Sequence, residues 1–311
     1  MLYSLFFVLP VNLSRLDGLL FLMVLIWGSN FSAIKYALRD FPQIPFNAMR
    51  LLLASTVFLA AIVVVRRRAA LGLRPPEPSL TGREWGVVLV LALVGTVLYQ
   101  LFFLAGVART SVANSALIFG CTPVAVAILS SIAGHERLPL TRWIGAGLSL
   151  VGIYALVGSA ASLSSATLVG DVLIFAGMLC WSVYSVTAQP LLKRHSPLVI
   201  SGWSMIIGAA LYTSLTAGSL IATNWSSISG INWMLMAGSS LLALAFSYIV
   251  WYTAVQRMGS ARTAMYSNLT PIVAMAVAAV WLDERVGSGQ LLGATLILTG
   301  LVLTRASSAT A

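Results

Sequence analysis

Four kinds of group in this sequence, three of them side chains, could handle a small polar molecule away from water. Aromatic residues supply the largest group: Trp27, Tyr99, Phe103, Trp181, Tyr184, Tyr248, Trp251, Tyr252 and Tyr266. Trp181 and Tyr184 are three apart and Tyr248 and Tyr252 four apart, so each pair shares one face of a helix. Aromatic walls receive apolar or aromatic groups and hold cations on their π faces. Trp and Tyr also anchor helices at membrane interfaces, and Trp85, Trp143, Trp225 and Trp233, near the ends of apolar runs, read that way. Polar neutral residues come next: Asn30, Asn114 and Asn268, with Ser185 beside the span-six aromatics. An amide is costly against lipid, so each Asn is expected to face other helices, touching either a substrate or a neighbouring helix.

Cations are the third kind. Lys35 and Arg50 sit inside apolar runs and Arg109 at the end of one. Such a group either attracts a carboxylate or phosphate or extends to lipid headgroups; Lys35 and Arg50 are the candidate anion contacts. The fourth kind is backbone. Pro123 and Pro271 each lie within an apolar helical run, and a proline leaves the carbonyl four residues earlier without its helical donor. Those carbonyls belong to Phe119 and Ser267. In lipid they must find a partner, whether a ligand ammonium or a neighbouring hydroxyl.

The elements carrying these groups are membrane helices. Hydrophobic residues make up 59% of the 311 and charged residues only 8%, more apolar surface than a soluble core of this size buries. Ten charge-poor windows follow, at 16–38, 44–65, 85–108, 111–133, 140–158, 168–190, 198–220, 231–256, 261–282 and 288–305. The stretch from Met1 to Val11 is too short to span, lacks a basic leader, and reads as an interfacial or extended start.

The net charge of +10 does not signal nucleic acid, because the basic residues sit in the linkers. Alternating spans collect Arg15, Arg66, Arg67, Arg68, Arg74, Arg83, Arg137, Arg142, Lys193, Arg194, Arg257, Arg262 and Arg305 on one side. Only Lys35, Arg39, Arg109 and Arg285 fall near the other. The positive-inside rule then places both termini in the cytoplasm.

The chain also repeats itself. Thr122-Pro123-Val124 is matched by Thr270-Pro271-Ile272, and thirteen residues after each proline come Glu136-Arg137 and Glu284-Arg285. Ala113-Asn114-Ser115-Ala116 mirrors Ala261-Arg262-Thr263-Ala264, and Gly145 and Gly152 mirror Gly293 and Gly300. The halves are expected at 16–160 and 166–306. Five spans per half is an odd number, so the second half must enter from the opposite face. Asp17 and Asp171, each beginning the first span of its half, then lie on opposite faces. A broken helix in each of two inverted repeats is the pattern of a secondary transporter.

Trp27-Gly28-Ser29-Asn30-Phe31-Ser32-Ala33-Ile34-Lys35 resembles the opening motif of the drug/metabolite transporter superfamily. Arg50-Leu51-Leu52-Leu53-Ala54 is similar to its second motif, and the paired Pro and Glu-Arg segments look like its two EamA-type repeats. The resemblance covers about residues 16–305. It implies an all-α integral membrane protein of ten helices in two inverted five-helix halves. It further implies export of small metabolites, commonly amino acids, across a bacterial inner membrane. Other members handle cationic drugs, nucleotide sugars or phosphorylated metabolites.

Several functions lack the residues they need. No Asp or Glu lies near the middle of any window, which removes the buried carboxylate of a proton-coupled cation exporter. His135 and His195 fall in linkers, and there is neither a ligand cluster for a metal nor a glycine-rich phosphate loop. Cys121 and Cys180 sit within windows, as small packing residues rather than a disulfide. The expectation is a carrier, not an enzyme, without a cofactor; a passive channel and an integral membrane enzyme rank below it, the latter lacking an acid-base pair. Its partners are a small-molecule substrate and the lipid bilayer, with no nucleic acid, and the sequence leaves the oligomeric state open, a monomer being compatible with it.

Overall fold

Short capping signals and one-residue turns divide the chain where the apolar windows end. The computed structural model describes residues 15–134, 165–285 and 287–306, with positions 144, 147, 148 and 151. The fifth window, Met1 to Val11, His135, Glu136-Arg137, Gly145 and Gly152 lie outside the described residues. Nine long helical elements remain: α1 (Arg15–Ala37), α2 (Gln43–Ala70), α3 (Gly82–Arg109), α4 (Val112–Ile132), α5 (Ser165–Leu192), α6 (Pro197–Leu215), α7 (Gly230–Met258), α8 (Ser260–Trp281) and α9 (Ser288–Ala306). The first eight are long and apolar enough to cross a membrane. No strand occurs among the described residues.

Local chemistry sets the boundaries. Thr81 and Glu84 form a reciprocal capping box at the start of α3. Ser111 accepts the Asn114 N–H at α4, and Ser196 accepts the Val199 N–H at α6, where Pro197 opens the helix. Gly259, at φ 86°, allows α7 to turn directly into α8, a backbone that a side chain would resist. The window 198–220 is shorter as a helix than expected: α6 stops at Leu215, and Ala217–Ile221 forms a separate turn of helix.

Both proline breaks form. In α4 the helix stops at Phe119, turns at Gly120-Cys121 and restarts at Thr122 with Pro123 in its first turn. In α8 the segment Met265–Leu269 tightens into a 3₁₀-helix before α-helix resumes at Thr270 and Pro271. The two breaks touch: a Cβ on Gly120 would come within 2.9 Å of Pro271 Cγ. A second matched pair of distortions had no expectation from sequence. α3 is π-helical over Ala92–Leu98, and α7 over Ser239–Phe246. Such wide turns are rare and gather at functional sites.

The halves interlock. The most extensive packing pairs join α3 to α5, α2 to α6 and α1 to α8, and each pair crosses between the repeats. Small residues permit the approach. Gly95 lies against the Tyr184 ring, Gly106 against Ile174, Gly170 against Thr110, and Gly28 against Val273. Large apolar side chains such as Leu22, Leu25, Val64, Leu89 and Val172 remain exposed, as lipid-facing residues do.

Candidate functional site: a central aromatic cavity

Trp27 and Trp181 meet edge to face at the centre of the molecule, with ring centroids 5.4 Å apart. They are equivalent positions, ten residues after Asp17 and Asp171 respectively. From this pair the walls of a cavity extend. Tyr99 and Tyr248 lie 5.3 and 5.1 Å from Trp181, and Phe103 joins Tyr99, Phe31 and Phe119. The Trp27 indole N–H donates to the Ala243 carbonyl at 3.0 Å, in the π-helical stretch of α7. A wide turn there leaves a carbonyl free to accept it.

The polar lining comes from both repeats. Asn30 accepts the Ser239 hydroxyl at 2.5 Å. Gln100 donates to Tyr248 Oη at 3.4 Å. These two precede Pro123 and Pro271 by the same interval, so this too is a bond between equivalent positions. Thr122, Ser267 and Thr270, at the helix breaks, complete the lining.

Among the described residues Arg50 is the only cation lining this cavity, and it is 1% exposed. Its guanidinium reaches Asn47 Oδ1 at 3.4 Å and Gln100 Oε1 at 3.5 Å, both long, and stands 5.5 Å over the Phe46 ring. Nε has no partner, and no carboxylate lies within ion-pairing distance among the described residues. A buried arginine without an anion is costly, and its planar fork matches a carboxylate. The room open to water-molecule centres is about 50 Å³. One water needs about 10–15 Å³ by that measure, so the cavity holds a few waters and must widen for anything larger.

Seven of the residues singled out by sequence therefore converge here: Trp27, Asn30, Arg50, Tyr99, Phe103, Trp181 and Tyr248. Others stand one layer behind. Trp251 is fully buried against Trp27 and Trp181 and donates to Ser185 Oγ at 3.1 Å. Tyr252 stacks on Tyr184 at 4.9 Å, and Tyr184 bonds Ser204. The faces that helix spacing pairs are real, but those of Tyr184 and Tyr252 turn into the protein core. Asn268 is buried beside the second break without lining the cavity. Tyr266 donates to the Asp17 carboxylate at the arginine-rich end of the molecule.

Asn114 and Lys35 belong to the opposite, arginine-poor end. Lys35 donates to the carbonyls of Val107 and Thr110, capping the end of α3, where a cation suits the helix dipole. Asn114 and Thr110 donate to Asp171, and Gln290 donates to Asn114 Oδ1 at 2.8 Å. Glu284 accepts the Val112 N–H at 3.0 and 3.2 Å. These bonds tie α4 of the first repeat to α5 and the α8–α9 turn of the second. They line a separate vestibule of about 610 Å³ with Lys35, Arg109 and Arg285 around it. The arginine-rich end is tied as well, through Ser130 to Ser260 and through Glu84 to Arg194 and His195.

Of the bonds expected at the breaks, one is settled locally: the Thr122 hydroxyl donates to the freed Phe119 carbonyl at 2.6 Å. Phe119 and Ser267, singled out for their carbonyls, line the cavity too, and Phe31, Gln100, Thr122, Ala243, Leu244 and Thr270 line it without having been singled out as site residues. Gln100 and the Thr of each Thr-Pro pair were findable, because they occupy matched places in the repeats. Among the described residues no group of three His, Cys, Asp or Glu side chains converges as a metal would require.

Fold and cavity together define an all-α integral membrane protein with an internal site. The chain belongs to the EamA-like transporter family, whose profile matches residues 15–158 and again residues 168–306. The family and the related proteins bear the names of transporters and efflux pumps, not enzymes. A probable amino-acid metabolite efflux pump of Escherichia coli (strain K12) is 29% identical over 94% of this chain and 95% of its own. An uncharacterized transporter of Bacillus subtilis (strain 168), YyaM, is 27% identical over 88% of each. A probable terminal-alkyne amino-acid exporter of Streptantibioticus cattleyicolor is 24% identical over 94% of each. One crystal structure, at 19% identity, shares the fold with a TM-score of 0.67, covering 94% of this chain and 98% of its own.

Proposed function

We propose that this transporter exports neutral and aromatic amino acids from the bacterial cytoplasm by alternating access, through the central cavity. The observation that carries the reading is Arg50, wholly buried in the cavity wall with no anion of its own. A substrate carboxylate supplies that anion, and Trp27, Tyr99, Phe103, Trp181 and Tyr248 receive an apolar or aromatic side chain. Bonds across the repeats at both ends suit a site that opens to one side at a time. The arginine asymmetry supports an inner-membrane orientation with both termini cytoplasmic. The reading calls for the lipid bilayer and a small-molecule substrate as partners and for no nucleic acid.

A cationic drug meets Arg50 with no acid among the described lining residues to offset it. A phosphorylated metabolite or nucleotide sugar carries at least two negative charges against a single cation among the described lining residues. Both rank below an amino acid for those reasons. Counterflow in proteoliposomes preloaded with unlabelled aromatic amino acids tests the reading. Transient accumulation of labelled amino acid above equilibrium, blocked by unlabelled competitor, is the expected result. Uptake indifferent to preloading would make the protein a channel, and no uptake by folded protein would reject amino acids as substrates.

A further inference from the structure

Most buried polar atoms in folded proteins find partners, so one left alone inside a cavity wall points toward a ligand. Among the described residues two unpartnered buried side-chain atoms belong to the cavity lining: Arg50 Nε and Thr270 Oγ1. They come from different repeats, on α2 and α8. The Arg50 atom is accounted for by a carboxylate. The Thr270 hydroxyl is not.

Its equivalent in the first repeat shows what such a threonine does by default. Thr122 also follows a helix break, also lines the cavity, and donates to the carbonyl of Phe119, three residues back. Thr270 has the corresponding carbonyl of Ser267 three residues back, yet its hydroxyl does not use it. That carbonyl receives the Thr270 backbone N–H instead, because the second break is a 3₁₀ turn over Met265–Leu269 rather than the Gly120-Cys121 turn of the first. The Ser267 hydroxyl is likewise spent, on the Ala264 carbonyl. At 5% exposure Thr270 has no bulk water to fall back on.

We propose that the Thr270 hydroxyl oxygen accepts a hydrogen bond from the α-ammonium of a substrate whose carboxylate pairs with Arg50. The site then selects a zwitterion by its two ends, one held by each repeat. This rests on the amino-acid reading above and adds to it the residue that recognises the amino group. Among the described residues the cavity lining contains no acid to balance a free amine, but a zwitterion adds no net charge. The faces of Tyr99, Trp181 and Tyr248 supply further π contacts to the ammonium.

The test is competition of L-phenylalanine counterflow by L-phenylalanine, by 3-phenylpropionate (no amino group) and by phenethylamine (no carboxylate). Wild-type protein should prefer L-phenylalanine to either analogue. T270V, nearly isosteric, should weaken L-phenylalanine about tenfold, as expected for one hydrogen bond to a charged group, and leave 3-phenylpropionate unchanged. T270S, which keeps the hydroxyl, should restore the wild-type value. R50Q should weaken L-phenylalanine and 3-phenylpropionate alike. Equal effects of T270V on both compounds, or none on L-phenylalanine, would overturn the assignment. So would a wild-type protein that takes 3-phenylpropionate as well as L-phenylalanine, a result that needs no folded variant. Absence of amino-acid counterflow in folded wild type would reject the export reading itself. Normal counterflow indifferent to Thr270 rejects this inference alone.

Discussion

Replacing Arg50 with Met should cost the protein its transport and none of its stability. The side chain is 1% exposed, and its gains are modest. Its hydrogen bonds at 3.4 and 3.5 Å are at the long limit and contribute at most about 1 kcal/mol each. The Phe46 ring at 5.5 Å adds about 0.5–1 kcal/mol. Against this stands the cost of an arginine inside a membrane helix, about 2.5–3.5 kcal/mol on insertion scales. The two sides nearly cancel. Met has similar length, so it fills the space, and Gln100 keeps its bond to Tyr248. The thermal midpoint of detergent-solubilised Arg50→Met, followed by tryptophan fluorescence, should therefore match wild type or exceed it. Counterflow should weaken by the loss of a buried charge pair, about 2–5 kcal/mol, or roughly 30-fold to a few thousand-fold. A structural arginine behaves differently, since removing one partner of a satisfied buried pair destabilises by about 3–5 kcal/mol. A sharply lower midpoint with transport per folded molecule retained would refute the carboxylate site.

Gly95→Ala should lower the midpoint and folded yield by about 1–3 kcal/mol of overpacking, because the new Cβ would lie 1.9 Å from Cδ2 of Tyr184, itself stacked on Tyr252. Gly86→Ala, with nothing within 4 Å, is the control and should be neutral or slightly stabilising; equal losses in the two variants would contradict the packing described. Glu284→Gln should weaken the cap on α4 by about 0.5–1 kcal/mol and loosen the arginine-poor end. A cysteine placed by S288C in a protein lacking Cys121 and Cys180 should then react faster with a water-soluble maleimide; an unchanged rate would mean that Glu284 does not hold that end shut.

The elements were legible because membrane helices announce themselves by length and composition, and each of the nine long described helices falls on an expected window. The breaks were legible because proline has one backbone consequence wherever it stands. Arg50 and Trp181 could be picked out because a cation or a large aromatic inside an apolar run has few reasons to be there. Depth and facing were harder. Tyr184, Trp251 and Tyr252 have the same composition signal as Tyr99 and Tyr248, yet pack behind the cavity. Which of them turns inward depends on helix rotation, and the π-helical stretches in α3 and α7 change that rotation without a distinctive residue to mark them. Lys35 read as an anion contact because sequence cannot show that the end of α3 offers two carbonyls within its reach.

The contacts of Trp27 with Trp181 and of Gln100 with Tyr248 join each position to its own counterpart. That is the signature of a two-fold axis, where a residue meets its own copy. Two identical chains assembled in this way would have to place one and the same side chain on both sides of the axis. Such a side chain must be self-complementary: an indole can meet an indole edge to face, and an amide can both give and take a hydrogen bond. Fusion into a single chain lifts that restriction. Gln on one side and Tyr on the other, or a satisfied Thr122 in one repeat and an unsatisfied Thr270 in the other, are differences that two identical chains cannot have. Through them a symmetric shell can hold a molecule whose two ends are unlike.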